Sequence, residues 1–165
     1  MKAKKIVTRL IAAAVLLALV LWLVPLPVPV GFTMTGAEVN NDYTAGESVT
    51  LTVDGWRLYR FLREPELHAT ITVQSGNGEI YAQKLSGCWD SPIPTGARSV
   101  LYPVYDRTTN DFATALLVYD TKETAAVLYD GFGHTYAASA EPMDVRAVFD
   151  TFEKTYQFHL EAQRP

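Results

Sequence analysis

The stretch Ser48–Phe61, SVTLTVDGWRLYRF, carries the pattern that decides the fold class of this chain. Polar and apolar residues alternate strictly through residues 48–53, as in a β-strand with one buried face. Asp54-Gly55 follows, and residues 56–61 form a second run rich in aromatic and aliphatic side chains. Asp-Gly between two such runs favours a two-residue turn, because both turn positions need a positive φ. The stretch therefore predicts a β-hairpin that turns at these two residues.

Several later segments also carry strand patterns bounded by turn residues. They lie at residues 67–73, 80–82, 100–105, 113–119 and 125–129. Strand signals at this spacing indicate an antiparallel β-meander, either an open sheet or a small barrel, over about residues 33–137. Within it, Ala115–Val118 is apolar at every position. We therefore expect a central strand there that is covered on both faces.

The C-terminal region changes from strand periodicity to helix periodicity. Its apolar residues recur at helical spacing, at Val145, Val148, Phe149, Phe152, Tyr156 and Leu160. Such a stripe is typical of an amphipathic helix with one buried face, and Pro142 suits its first turn. We expect this helix over about residues 142–160, packed across one face of the sheet, so that residues 33–165 form one α+β domain. A homodimer formed through the helix is the alternative.

The first 24 residues differ in composition from the rest of the chain. Four basic residues occupy the first nine positions, and Leu10–Val24 has no charged side chain, which is typical of an export signal. A helix from Ile6 to Val24 rises about 28 Å, close to the roughly 30 Å hydrocarbon core of a bilayer. We therefore expect residues 1–24 to form a signal-anchor, a single-pass transmembrane helix with a basic cytoplasmic head. Residues 6–24 then contact the membrane, and the domain lies outside the cell.

Residues 25–32 contain prolines at positions 25, 27 and 29. Alternating prolines favour an extended conformation, so these residues are predicted to form a proline-containing stalk. Cleavage of the signal is the alternative and would yield a secreted protein. Cleavage needs small residues soon after the apolar run. The best candidate, Thr35–Ala37, lies more than ten residues beyond that run. A retained anchor therefore fits the sequence better.

Charge and cysteine content narrow the function classes. Four of the 14 Lys and Arg residues precede residue 31, so residues 31–165 carry 10 against all 18 Asp and Glu, a net charge of −8. This acidity argues against a nucleic-acid partner, because such binding depends on neutralising phosphates. It suits a soluble domain or one with a cationic partner. Cys88 is the single cysteine, so no disulfide can form within the chain.

A tyrosine followed by an aspartate recurs three times at the end of an apolar run, and it gives the candidate binding residues. Tyr105, Tyr119 and Tyr129 each end an apolar run, and an aspartate follows each of them. Together with Trp89, these tyrosines are predicted as ligand-binding residues, because exposed aromatic rings stack on sugars and peptides. A structural interpretation competes with this one. Tyrosine favours strands, and aspartate starts turns by accepting bonds from its own backbone.

No catalytic motif, metal-ligand spacing or phosphate loop occurs in the sequence. We therefore predict no catalytic residue, no metal and no cofactor. The favoured hypothesis is a non-enzymatic, membrane-anchored, extracytoplasmic module that binds a protein or a small molecule. One alternative is an extracytoplasmic hydrolase that uses Cys88, with His68 or His134 nearby, or a carboxylate pair that the sequence does not identify. Another is a cleaved, secreted carrier of an apolar ligand inside a barrel.

Overall fold

The computed structural model of the protein describes residues 2–40, 42–106 and 109–155. Over these residues the chain forms one long helix, nine strands and a short helix that continues into a π-helical turn. The elements are α1 (Lys2–Leu23), β1 (Leu26–Val39), β2 (Ala45–Tyr59), β3 (Glu66–Ser75), β4 (Gly78–Lys84), β5 (Cys88–Ile93), β6 (Ala97–Asp106), β7 (Asp111–Asp120), β8 (Ala125–Tyr129), β9 (Thr135–Ser139), α2 (Val145–Asp150) and the π-helical turn (Thr151–Thr155).

The strands form a mostly antiparallel, barrel-like sheet, which confirms the predicted meander. Along the chain each strand pairs with the next, and β1 pairs with both β2 and β9, so the sheet closes on itself. The exception is at β4 and β5. Both pair with β3, at different points along its length, so they act as two halves of one interrupted strand. The closed sheet therefore has eight strand positions, and one of them is broken.

Apolar side chains fill the interior of the barrel, because alternate residues of every strand point inward. The largest fully buried side chains are Tyr102, Tyr119, Phe152, Met34, Leu51, Leu67, Ile71, Leu117, Leu128, Val30, Val53 and Val73. All of these except Phe152 belong to one cluster inside the barrel. They occupy the space in which the carrier hypothesis places its ligand.

A second apolar cluster lies outside the barrel, under α2. Val148 and Phe149 of α2 and Phe152 of the π-helical turn pack against β7–β9, on residues such as Val118 and Val127. Because Leu117 lies inside the barrel and Val118 faces α2, the strand predicted to be covered on both faces is confirmed. The helix starts after Asp144, whose carboxylate accepts a bond from the Arg146 amide. The predicted continuation beyond residue 155 lies outside the described residues.

The predicted hairpin at Asp54-Gly55 is wrong. Both residues lie inside β2, where Asp54 pairs with Gly31 and Thr70 on its two neighbouring strands. A Cβ atom at position 55 would lie 2.1 Å from the carbonyl oxygen of His68. Glycine is therefore needed here because β3 approaches closely, not because a turn requires positive φ. Since the strand continues without a turn, the side chain of Arg57 lies inside the barrel.

The segment predicted as a stalk belongs mostly to the sheet. From Leu26 onward it is the first half of β1, paired with residues 53–59 of β2. This half of β1 has no second partner, because β9 pairs only with residues 35–38. An edge position tolerates proline, which lacks an N–H, and this explains Pro27 and Pro29 within a strand.

Helix α1 precedes the sheet. All of its side chains from Ile6 to Val20 are exposed. Among the residues that the structure describes, no helix has the length and apolar content needed to cross a membrane.

Candidate functional site

The closed sheet is interrupted between β4 and β6. Strand β6 pairs with β5 only over Ala97–Val100, and in the described part of the chain no pairing joins β6 to β4. The chain bends at Leu85–Gly87, where Gly87 adopts φ +72°, and it pairs with β6 only after this bend, in β5. The amide of Leu85 still donates to Ala69 on β3, over 2.7 Å, so β4 follows β3 instead of β6. We call the gap between β4 and Leu101–Tyr105 of β6 the seam.

Two surface clefts lie along the seam. The first has a volume of about 640 Å³ and includes Trp89 and Leu101, which are 66% and 62% exposed. The second has a volume of about 480 Å³ and includes Ile80 and Tyr105, which are 46% and 44% exposed. These exposed apolar side chains in both clefts make the seam a candidate binding surface.

The two sides of the seam are joined by side chains. The hydroxyl oxygens of Tyr81 on β4 and Tyr102 on β6 are 2.9 Å apart, and the Tyr102 side chain is fully buried. Burial raises the pKa of Tyr81 to about 12 and holds the pKa of Tyr102 well above its usual range. Both hydroxyls therefore stay protonated, and the side chains beneath the seam carry no charge at this point.

The second cleft is acidic. It is lined by Glu38, Glu47 and Asp130, together with His134. The Nδ1 atom of His134 lies 2.7 Å from a carboxylate oxygen of Glu38, and this bond raises the pKa of the histidine above its usual value. When His134 is protonated it balances Glu38, and the other three carboxylates of this cleft, Glu47, Asp106 and Asp130, give this end of the seam a negative charge.

The pair of His134 and Glu38 gives a testable titration. We expect nuclear magnetic resonance to report a pKa for His134 above the ordinary value of about 6.5, and Glu38→Gln to return it toward that value. Because the folded-state pKa is raised, the pair stabilises the fold fully below the unfolded-state pKa. That stabilisation is lost as the pH rises through the folded-state pKa. Glu47→Gln, in the same cleft but without this contact, is the control. An unchanged pKa in Glu38→Gln would contradict the assignment.

The structure separates the four predicted binding residues. Trp89 and Tyr105 both line the seam, one in each cleft. The Tyr105 ring packs on Phe112, with ring centroids 4.6 Å apart. Tyr119 is buried inside the barrel, and Tyr129 is half-buried on β8. Two of the four therefore share one surface.

The aspartates that follow two of these tyrosines have structural roles. The carboxylate of Asp120 accepts bonds from the amides of Thr124 and Ala125, over 2.6 Å and 2.9 Å. Asp130 accepts bonds from the amides of Phe132 and His134, over 2.8 Å and 3.1 Å. The interpretation of these aspartates as turn formers is confirmed.

Cys88 and His68, one of the two pairs that the cysteine hydrolase alternative could use, lie on different faces of the sheet. Cys88 is half-buried and packs against the core, opposite Leu67 on β3. His68 follows Leu67 along the strand, so its side chain points to the other face, 3.7 Å from Glu66. No group of three or more His, Cys, Asp or Glu in the described ranges could hold a metal ion.

A buried polar network at the other end of the barrel was missed from the sequence. Asp90 is fully buried and forms an ion pair with Arg57. The Tyr119 hydroxyl donates to Asp90 over 3.0 Å and accepts from Arg57 over 2.7 Å, and Arg98 lies 3.3 Å from the same carboxylate. Burial of Arg57 would lower its pKa, but Tyr119 and Asp90 outweigh this effect and raise it. The network joins four strands. It explains why Tyr119 is a buried tyrosine without assigning it a ligand.

Comparison with known proteins assigns no family to this chain. No family model, no curated protein and no solved structure matches it. Its function is therefore inferred from its own residues.

Proposed function

We propose that this protein is a membrane-anchored, non-enzymatic interaction module, with α1 in lipid and the barrel outside the cell. The observation that carries the proposal is the exposure of α1. Every side chain from Ile6 to Val20 is accessible, and apart from Thr8 and Arg9 all of them are apolar. Contact with an apolar environment stabilises exposed apolar side chains, and a bilayer supplies one.

The turn between β2 and β3 supports lipid contact next to α1. Only Val24 and Pro25 separate α1 from β1, and the first residue of β1, Leu26, pairs with Tyr59 at the end of β2. The residues after Tyr59 therefore lie beside the chain as it leaves α1. Two of them, Phe61 and Leu62, are 52% and 88% exposed.

Arginines flank these two apolar residues, at positions 60 and 63. Apolar side chains next to arginine suit a membrane surface, because the apolar groups enter the boundary region and the cations meet phosphate groups. Arg60 also forms an ion pair with Glu66 over 2.9 Å, which helps to hold the turn in place.

The distribution of carboxylates supports the same orientation. The barrel end away from α1 carries Glu38, Asp42, Glu47, Glu79, Asp106, Asp111 and Asp130, in or next to the turns after β1, β3, β6 and β8. An anionic lipid surface repels this end, since like charges repel most strongly within a Debye length of about 8–10 Å. The acidic end and the second cleft therefore point away from the membrane.

Reconstitution of the full chain into phospholipid vesicles tests the proposal. We expect the protein to float with the vesicles and to resist extraction at alkaline pH. In a Cys88→Ser background, a fluorophore at Leu62→Cys should be quenched by a lipid-borne quencher at least about twofold more than one at Asn77→Cys. Asn77 lies in the turn between β3 and β4, at the far end of the barrel.

Flotation tests the anchor, and quenching tests the lipid contact of the turn between β2 and β3. A chain that stays in solution in the presence of vesicles would refute the anchor. A chain that floats but shows equal quenching at both labels would keep the anchor and remove the lipid contact of the turn between β2 and β3.

A further inference from the structure

We propose that the seam binds an extended peptide segment of a partner protein, which adds a strand alongside β6. The inference rests on the proposed function only in taking the barrel to be an interaction module, and it does not depend on α1 or on lipid. Its basis is the backbone of Leu101–Tyr105, which pairs with β7 on one side only.

The unpaired backbone specifies the class of ligand. In a closed barrel each strand bonds to two neighbours, but among the described residues this half of β6 bonds to one, as does the first half of β1. Such an edge presents a row of N–H and C=O groups that matches another extended chain. Pro103 lies in this half of β6, and proline within a sheet is confined to edge strands. A lipid or a simple hydrocarbon cannot satisfy these groups, whereas a peptide backbone can.

The side chains along the seam suit a peptide with alternating residues. Trp89 and Leu101 in the first cleft, and Ile80 and Tyr105 in the second, offer apolar contacts at intervals along the gap. Alternate side chains of an added strand point to the same face and can reach these contacts. Carboxylates at the second cleft favour a basic residue at that end of the peptide.

The buried tyrosine pair explains how the seam remains stable without a ligand. The hydroxyls of Tyr81 and Tyr102 satisfy each other inside the barrel, so the core stays covered when the edge is unpaired. An added strand lies over this pair and bonds to β6 without breaking it. Binding therefore requires no rearrangement of the core.

Hydrogen exchange measured on the full chain in detergent micelles tests the inference. The probe is an acetylated and amidated octapeptide of alternating valine and lysine. On saturation, amides of Leu101–Tyr105 that face the seam should exchange at least about tenfold more slowly. The same peptide with every second nitrogen methylated keeps its charge but loses main-chain donors on one edge. It should bind at least about tenfold more weakly.

Matched variants locate the site. Leu101→Lys should weaken binding of the basic probe about tenfold, because it removes an apolar contact and adds a like charge. Val28→Lys, on an exposed position of β1, should leave the affinity unchanged. Equal binding of the methylated peptide, or protection elsewhere in the sheet, would refute strand addition. A dimer whose β6 amides are already protected without peptide would assign the seam to a second copy of the chain and also overturn the proposal.

Discussion

Replacing Asp90 with alanine is expected to lower the free energy of unfolding by about 3–5 kcal/mol, because it leaves a buried guanidinium without its counter-charge. The side chain of Asp90 is fully buried, and that of Arg57 is 10% exposed. Among the described contacts of Arg57, Asp90 supplies the carboxylate and Tyr119 a neutral hydroxyl. The Tyr119 hydroxyl also loses its acceptor, which adds to the cost.

Urea denaturation of the full chain in micelles, followed by tryptophan fluorescence, measures this change. Glu66→Gln is the matched control, since Glu66 pairs with Arg60 at a partly exposed site and such pairs contribute about 0–1 kcal/mol. Removing the Arg57 charge as well, in Arg57→Met with Asp90→Leu, should recover part of the stability, while Arg98 and the Tyr119 hydroxyl still lack their acceptor. If Asp90→Ala costs no more than Glu66→Gln, the network does not hold the barrel together.

Gly36→Ala is expected to destabilise the fold by about 3 kcal/mol or to prevent folding, because the new methyl group meets rigid backbone. A Cβ atom at this position would lie 1.9 Å from the carbonyl oxygen of Ala137 and 2.6 Å from the Cα of Ala138. Both atoms belong to β9, whose pairing with β1 closes the sheet. A flexible side chain could move aside, but a paired strand cannot do so without losing its hydrogen bonds.

Gly76→Ala is the control for this second variant. Position 76 lies in the turn between β3 and β4, and nothing lies within 4 Å of a Cβ atom built there. We expect its free energy of unfolding to change by less than about 1 kcal/mol. The same denaturation experiment measures both variants. Equal stability of Gly36→Ala and Gly76→Ala would show that β1 and β9 are not so close.

The parts of the fold that depend on local periodicity could be predicted. Strand patterns identified parts of β2, β3, β4, β6, β7 and β8, but they gave no segment for β1, β5 or β9. The stripe from Val145 to Phe152 identified the helix that packs outside the sheet. Asp54-Gly55 was misread because its sequence signal has two physical causes. A glycine in this pattern can be needed for a turn with positive φ, or because a neighbouring backbone leaves no room for a Cβ atom. Only the tertiary structure shows which of the two reasons applies.

The same ambiguity hid the buried network. A turn at Gly55 changes which residues of β2 face inward, so the inward position of Arg57 could not be seen from the sequence. For the candidate site, the ligand-binding role of Trp89 and Tyr105 stays a prediction, and the structure places the two residues in the two clefts of the seam. The seam depends on which strands pair after the bend at Gly87. That pairing joins residues far apart in the sequence, so local patterns do not predict it.

The interrupted strand also has a mechanical consequence. The ring of the sheet passes through β5, so β4 can swing outward while every neighbouring pair around the ring stays intact. The tyrosine hydroxyl contact opposes this motion, and one such bond contributes about 1 kcal/mol net. In the described part of the chain, β4 is therefore held to β6 by side-chain contacts, whereas β5 is held to β6 by paired backbone. The width of the opening is therefore adjustable at one end and fixed at the other, where Asp90 pairs with Val100.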